Sequence, residues 1–513
     1  MTNLLLICLD TFRRDCVGVL SDNAVETPNL DGLCAQGIVF ENAFGEAQPT
    51  IQFRRGLLTG MRAFPWRYDY DTRGLWPSIR GWHKVCPEHD MLSEILLRNG
   101  YTTGFFSDTY HMFKPTMNFT RGYTSWEFIR GQESDNYRSG PLEGVDLRGY
   151  LPPGQHGAVG EGRKACLLQY LLNNQNRKTE KDWTSARAFE AAGAFLEANA
   201  RSQPFFLYVD SFDPHEPWDP PRHYADRYDP DWHGRWEPIE AIGARPNEET
   251  KRRVKALYHG ECSFVDAHVG RLLTKLEELA LAHNTLVIVT SDHGTELWDH
   301  GAVRKGPHSC RYRHNTEIIW IMRAPQALNA QGRAQRKARD GKVPDGWPDS
   351  EAAGPYLYSG RIIKGFVQNH DILPTVLPFL GIEHEPVDGL DAWPLVTGEK
   401  DRVRDYVVSG WEGRAAVRDE RYAYSVDFGA EDGKEHLFDV INDPEESRNL
   451  VCERTSTCSE YRRRLERCLG QDLPVLLPAL PQDEIHRSEM PVRTWARSNP
   501  SARRKLSRDP RSS

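Results

Sequence analysis

The sequence predicts an α/β protein, a mixed sheet held between helical layers, followed by a small antiparallel sheet. Three observations carry that reading. Apolar runs at 4–9, 205–209 and 286–291 each end in a polar cluster, as strands buried on both faces do. Before the last of them, Val254, Leu257, Tyr258, Phe264, Val265, His268, Val269, Leu272, Leu273 and Leu276 keep helical spacing. After Asp388-Gly389-Leu390 the pattern changes to short strand segments divided by turn residues.

The first run, Leu4-Leu5-Leu6-Ile7-Cys8-Leu9, brings Asp10 to the carboxyl edge of the sheet, where open α/β folds bind ligands. It has no basic leader and no small-residue cleavage site, so it is expected to be a strand of the mature fold and not a secretory signal. Asp10 reads equally well as a helix cap or as a ligand. Next, Pro49 to Gly60 predicts a helix start in which Thr50 and Arg54, four apart, share one face. A threonine there sits at the positive end of the helix dipole, which favours an oxyanion; a capping Thr with a surface Arg is the plainer reading. Residues 139–162, rich in Gly and Pro, read as a lid or a disordered insertion.

The second run ends in Asp210-Ser211-Phe212-Asp213-Pro214-His215-Glu216-Pro217, where two prolines restrict the chain on either side of His215. In the helical stripe, His268 is expected to be a packed core residue. The third run delivers Asp292-His293-Gly294, an adjacent carboxylate and imidazole. Arg333 to Lys342 holds five basic residues in ten, read as a solvated loop or a cationic rim. Segments at 404–409, 414–417, 421–426 and 436–440 predict a four-stranded antiparallel sheet, and 461–469 a helix. The chain is thus divided into a catalytic α/β domain (1–395), a small α+β subdomain (396–484) and a mobile basic tail (485–513).

Composition sets limits. A chain of 513 residues buries a large core, and a net charge of −8 argues against nucleic acid as a partner. No apolar run approaches the ~18–20 residues that span a membrane. Ten cysteines without metal-type spacing read as reduced thiols, which places the chain in the cytoplasm. Homo-oligomerisation is left open.

The residues suggest a chemistry. A threonine hydroxyl is a poor nucleophile at neutral pH and needs a base or a metal to activate it. A divalent cation held by Asp10, Thr50, Asp292 and His293 would lower the hydroxyl's pKa and polarise an ester oxygen. Mixed carboxylate and imidazole donors suit Zn²⁺, Mn²⁺ or Fe²⁺, whereas a purely oxygen site would favour Mg²⁺ or Ca²⁺.

Several motifs occur in a set order: Thr27-Pro28-Asn29-Leu30-Asp31-Gly32-Leu33; Arg54 with Leu57-Leu58-Thr59-Gly60; Asp213-Pro214-His215-Glu216-Pro217-Trp218; Ser291-Asp292-His293-Gly294 through Lys305-Gly306; and His436-Leu437-Phe438-Asp439 with Asn442-Asp443-Pro444-Glu445. In this order they resemble the sulfatase family of the alkaline phosphatase superfamily, over about residues 3–470. The resemblance implies an alkaline phosphatase-like fold. It also implies catalytic roles for Thr50, Arg54, His215 and Lys305, and substrate contacts from Tyr110 and His111. The usual sulfatases carry a Cys or Ser, oxidised to formylglycine, four residues before the arginine. Thr50 stands in that place, and oxidising a secondary alcohol gives a ketone, not an aldehyde. Asp108 falls where the family has a lysine. His293, where sulfatases that hold Ca²⁺ carry Asn, resembles the phosphonate monoester hydrolases and phosphodiesterases, which implies Mn²⁺ or Zn²⁺, with Ca²⁺ as the alternative. The expected activity is therefore metal-dependent hydrolysis of a small anionic phosphodiester or phosphonate monoester through a covalent Thr50 intermediate. The alternatives are sulfate ester hydrolysis, phosphoryl transfer to an alcohol, and a non-catalytic binding protein.

Overall fold

A computed structural model describes residues 1–22, 25–66, 79–113, 117–142, 144–154, 157, 159–234, 236–240, 242, 245–325, 356–429, 433–475 and 498–507. The strands, in chain order, are β1 (Asn3–Leu9), β2 (Ile38–Phe40), β3 (Ala43–Phe44), β4 (Thr102–Ser107), β5 (Ser125–Phe128), β6 (Phe205–Ser211), β7 (Thr285–Ser291) and β8 (Trp320–Pro325). They continue with β9 (Tyr356–Leu357), β10 (Arg361–Ile363), β11 (Val367–Gln368), β12 (Val407–Trp411), β13 (Arg414–Arg418), β14 (Tyr422–Asp427) and β15 (Glu435–Asp439).

Nine of them form one mixed sheet in the order β10-β2-β8-β7-β1-β6-β4-β5, with β9 on β8. The three apolar runs found in the sequence are its centre: β1 pairs in parallel with β6 on one side and β7 on the other. Parallel pairing sends all three chains out at the same edge, and the residues just past their tips meet there.

Alternation along β1 feeds two cores. Leu5, Ile7 and Leu9 pack on one face with helix 184–199 and the long helix Glu248–Glu278. Leu4, Leu6 and Cys8 pack on the other with helices Thr50–Thr59, Leu92–Arg98 and Ile372–Phe379. The long helix extends the predicted stripe at both ends, beginning at an Asn247 cap whose side chain accepts from Thr250 N. His268 is buried in it, edge-on to Phe264 at 4.6 Å, and burial pushes its imidazole down to about 3.

Strands β12 to β15 form the separate four-stranded antiparallel sheet, covered by helix Thr455–Leu469. Its edge strand β12 reaches the main body, because Gln48 N donates to Gly410 O just before Thr50. The Gly- and Pro-rich stretch is partly anchored, with Leu142, Val145, Leu147, Leu151 and Val159 buried in the first core. Residues 333–342 lie outside the described residues, as does most of 485–513; within the latter, Pro500–Ser507 is a helix with Ala502 buried.

Candidate active site

Five side chains from three strand ends and one helix converge at the carboxyl edge. Asp10 follows β1, Asp210 is the last residue but one of β6, and Asp292 with His293 follows β7; all are fully buried. Arg54, from the first turn of helix Thr50–Thr59, reaches into their centre and is likewise fully buried. Its Nε and Nη2 grip Asp210 at 2.7 and 2.9 Å, the two-pronged geometry that suits guanidinium and carboxylate. Nη1 donates to Asp292 Oδ2 at 2.8 Å and to the Thr50 carbonyl at 3.1 Å. Nη2 also lies 3.2 Å from Asp10 Oδ2. One nitrogen thus couples the start of the helix to the strand that carries Asp292.

Three carboxylates around one guanidinium leave two negative charges uncompensated in a buried site, which is costly. The donor atoms fit a cation as the missing partner. Asp10 Oδ2 and His293 Nε2 are buried without a hydrogen bond. One ligand atom from each of Asp10, Asp292 and His293 lies within 4.8 Å of the others. Burial pushes the His293 imidazole down to about 3, with Lys305 and His215 acting in the same direction and Asp10 opposing, so the ring is neutral and able to ligate. Its Nδ1 donates to Gly294 O at 2.9 Å, which leaves Nε2 as the open donor.

Thr50 heads the helix with its side chain almost wholly enclosed. Within electrostatic reach of His293 stands a wall built from the segment after β6 and the loop after β7. Lys305 Nζ donates to Glu216 Oε2 at 2.8 Å, and His215 Nδ1 donates to Glu216 O at 2.6 Å. Burial alone would raise the Glu216 carboxyl, but Lys305, His215 and Arg304 hold it well below the usual carboxylate range. The His215 ring lies over Phe212 at 4.1 Å. Phe212 in turn contacts His111 and Tyr110, at 6.0 and 5.9 Å between ring centres. The sequence candidates Tyr110 and His111 therefore sit behind the wall, both buried. Tyr110 OH bonds Glu133 and Ser134, and the His111 ring meets Trp82 edge-on.

Asp108, which stands where the family has a lysine, serves the backbone. It accepts from Phe212 N at 2.8 Å and shares Gln132 Nε2 with Asp213. Burial, with Asp213 nearby, pushes its carboxyl upward.

Sequence reasoning did not single out Asp210, Glu216 or Thr11. Thr11 donates from its N to Asp292 Oδ1 and from its hydroxyl to Asp10 Oδ1, at 2.8 and 2.7 Å. It does so at φ 65, a conformation that costs a β-branched residue strain of the kind found at functional sites. Gly294 is needed because a Cβ there would lie 1.9 Å from His314 O.

Residues 2–382 match the family described as Sulfatase. An arylsulfatase of Clostridium perfringens is 26% identical, covering 90% of this chain and 92% of its own length. The crystal structure of a phosphonate monoester hydrolase of Agrobacterium radiobacter superposes with a TM-score of 0.64 at 19% identity, covering 94% of this chain and 99% of that one. A protein solved in complex with its substrate D-glucosamine-2-N,6-O-disulfate gives a TM-score of 0.64 at 17% identity, covering 92% and 98%.

Proposed function

This chain belongs to the sulfatase family and is an ester hydrolase, and from that premise we propose that it cleaves a phosphodiester or phosphonate monoester with Thr50 as nucleophile. The observation that carries the reading is a threonine, which cannot form an aldehyde, at the head of a helix that Arg54 ties to Asp292. A divalent cation held by Asp10, Asp292, His293 and the Thr50 hydroxyl would lower that hydroxyl's pKa and polarise the ester oxygen; the donor set favours Mn²⁺ or Zn²⁺ over Ca²⁺.

The chain's own groups account for the remaining roles. Arg54 neutralises part of the carboxylate charge and, through the Thr50 carbonyl, holds the first turn in place, so that Thr50 would act without reorganising. Thr50 Oγ1 forms a bond to phosphorus as the bond to the leaving oxygen breaks. His215, with Nδ1 engaged by Glu216 O, can hold a proton at Nε2 and pass it to that leaving oxygen. Lys305, steered by Glu216, supplies positive charge to the non-bridging oxygens. Water then attacks phosphorus and releases Thr50. Tyr110 and His111, through Phe212, would limit the space for the organic portion of the substrate.

The second reading, sulfate ester hydrolysis, is favoured by the names of the relatives: an arylsulfatase, and a protein whose substrate is a disulfated glucosamine. A sulfate monoester carries the same single charge as a phosphodiester, so charge does not separate the two. The test compares turnover of nitrophenyl sulfate with nitrophenyl phosphate mono- and diesters on metal-loaded protein whose intact mass shows unmodified Thr50. The expected order puts the phosphodiester or phosphonate first; faster sulfate turnover reverses it. Thr50→Ala should lower kcat by roughly 10³-fold or more, as removal of a nucleophile does.

A further inference from the structure

A second cluster of buried donors lies on the same loop, past the first. Glu296 is fully buried, and neither of its carboxylate oxygens has a hydrogen bond. His300 Nδ1 and His314 Nε2, also buried and without a hydrogen bond, face it at 3.9 and 3.4 Å. Among the described residues these two imidazoles are the carboxylate's ion-pair contacts. Four unpartnered polar atoms pointing at one another are costly unless something lies between them.

We propose that Glu296, His300 and His314 form a second divalent-metal site, suited to Zn²⁺ and distinct from the Asp10–Asp292–His293 cluster. Spacing and hydrogen bonding both fit. Ligands about 2.0–2.1 Å from a tetrahedral zinc stand roughly 3.3–3.4 Å apart, close to the separations here before any ion draws the donors in. His300 Nε2 donates to Glu445 O at 2.9 Å, which leaves Nδ1 as the ring's open atom. The ring stacks on Tyr312 at 3.6 Å and runs nearly parallel to His314 at 5.1 Å, which restricts its direction. Two imidazoles and a carboxylate leave a fourth position for water, and the His300 side chain, 15% exposed, gives an ion a way in.

The site joins separate pieces of chain. Glu296 and His300 belong to the turn closed by the Leu297–Val303 bridge, and His314 lies in the short helix Arg313–Thr316. Through the Glu445 contact the same turn touches the segment after β15. Lys305 follows this turn by two residues, so an ion here would brace the segment that aims it at Glu216.

The test is metal counting on dialysed full-length protein, with the absorption bands of Co²⁺ as a second readout. Wild type should hold two equivalents of Zn²⁺ or Co²⁺. Glu296→Gln and His314→Gln should each hold one, and His293→Gln should also hold one, but the other. If Glu296→Gln and His314→Gln, both folded by circular dichroism, bind as much metal as wild type, the proposal fails and a proton shared by Glu296 and the histidines takes the ion's place. A wild type holding one equivalent that His293→Gln keeps and Glu296→Gln loses would support this site and remove the first one instead.

Discussion

The floor and the wall of the site are built on different principles. In the floor, Arg54, Asp10, Asp210, Asp292 and His293 have no exposure, and all three carboxylates meet the one guanidinium, which leaves negative charge for a cation to balance. In the wall, the side chains of Lys305, His215 and Glu216 keep 8, 10 and 12% exposure and form a short linked chain. A floor of this kind ties the chemistry to folding, since no member can be removed without stranding a buried charge. The wall can lose function while the fold survives. Evolution of a new substrate would therefore act on the wall.

The largest effect is expected from breaking the floor. Arg54→Met strands the carboxylates of Asp10, Asp210 and Asp292, and should cost about 3–5 kcal/mol of stability. Urea unfolding at fixed metal concentration measures it. An unchanged midpoint would mean that these carboxylates do not depend on the guanidinium, and the contrast with the wall would disappear.

A smaller stability change and a clear loss of rate are expected in the wall. Lys305→Met should lower kcat roughly 10²-fold, in line with loss of one charge-stabilising group. It should destabilise by about 1–3 kcal/mol, because Glu216 is left without its cation. Adding Glu216→Gln should restore stability without restoring turnover. Recovery of turnover in the double variant would show that Lys305 serves only to hold Glu216.

The same contrast explains what the sequence disclosed. Strands β1, β6 and β7 are continuous apolar runs because they are buried on both faces, so their tips, Asp10 and Asp292-His293, could be located from pattern alone. Asp210 could not: it reads as one more strand residue, and its meaning depends on an arginine 156 positions earlier. Glu216 likewise depends on Lys305, 89 positions later. The helix beginning at Thr455 was readable only from Tyr461, because its first turn is polar and exposed and shows no apolar stripe. Thr11 gave no signal, since a strained φ leaves no mark in composition.

Glu46 supplies a case that neither region contains, a buried carboxyl with no ion-pair contact within 4.0 Å among the described residues. It lies just before Thr50 and accepts from Ala63 N and Phe64 N at 2.8 and 3.1 Å, linking the segment that enters the helix to the one that leaves it. Burial pushes its carboxyl up to about 7, only partly offset by Arg62 and these two backbone donors. An unfolded glutamate titrates near ~4.3. Between those values the folded chain binds more proton than the unfolded one, so Glu46's contribution is full below the lower value and is lost as pH rises through about 7. Glu216 has the opposite sign: its folded value is depressed, so its contribution is present above the unfolded value and lost as pH falls. Glu46→Gln, which imitates the protonated acid, should therefore remove a decline on the order of 2 kcal/mol between pH 5 and pH 8, leaving the acid limb unchanged. Glu216→Gln should flatten the acid limb alone. Denaturation curves across that range decide it: an unaltered slope above pH 5 in Glu46→Gln would show that the carboxyl is already ionised there, held by Arg62 much as Lys305 holds Glu216.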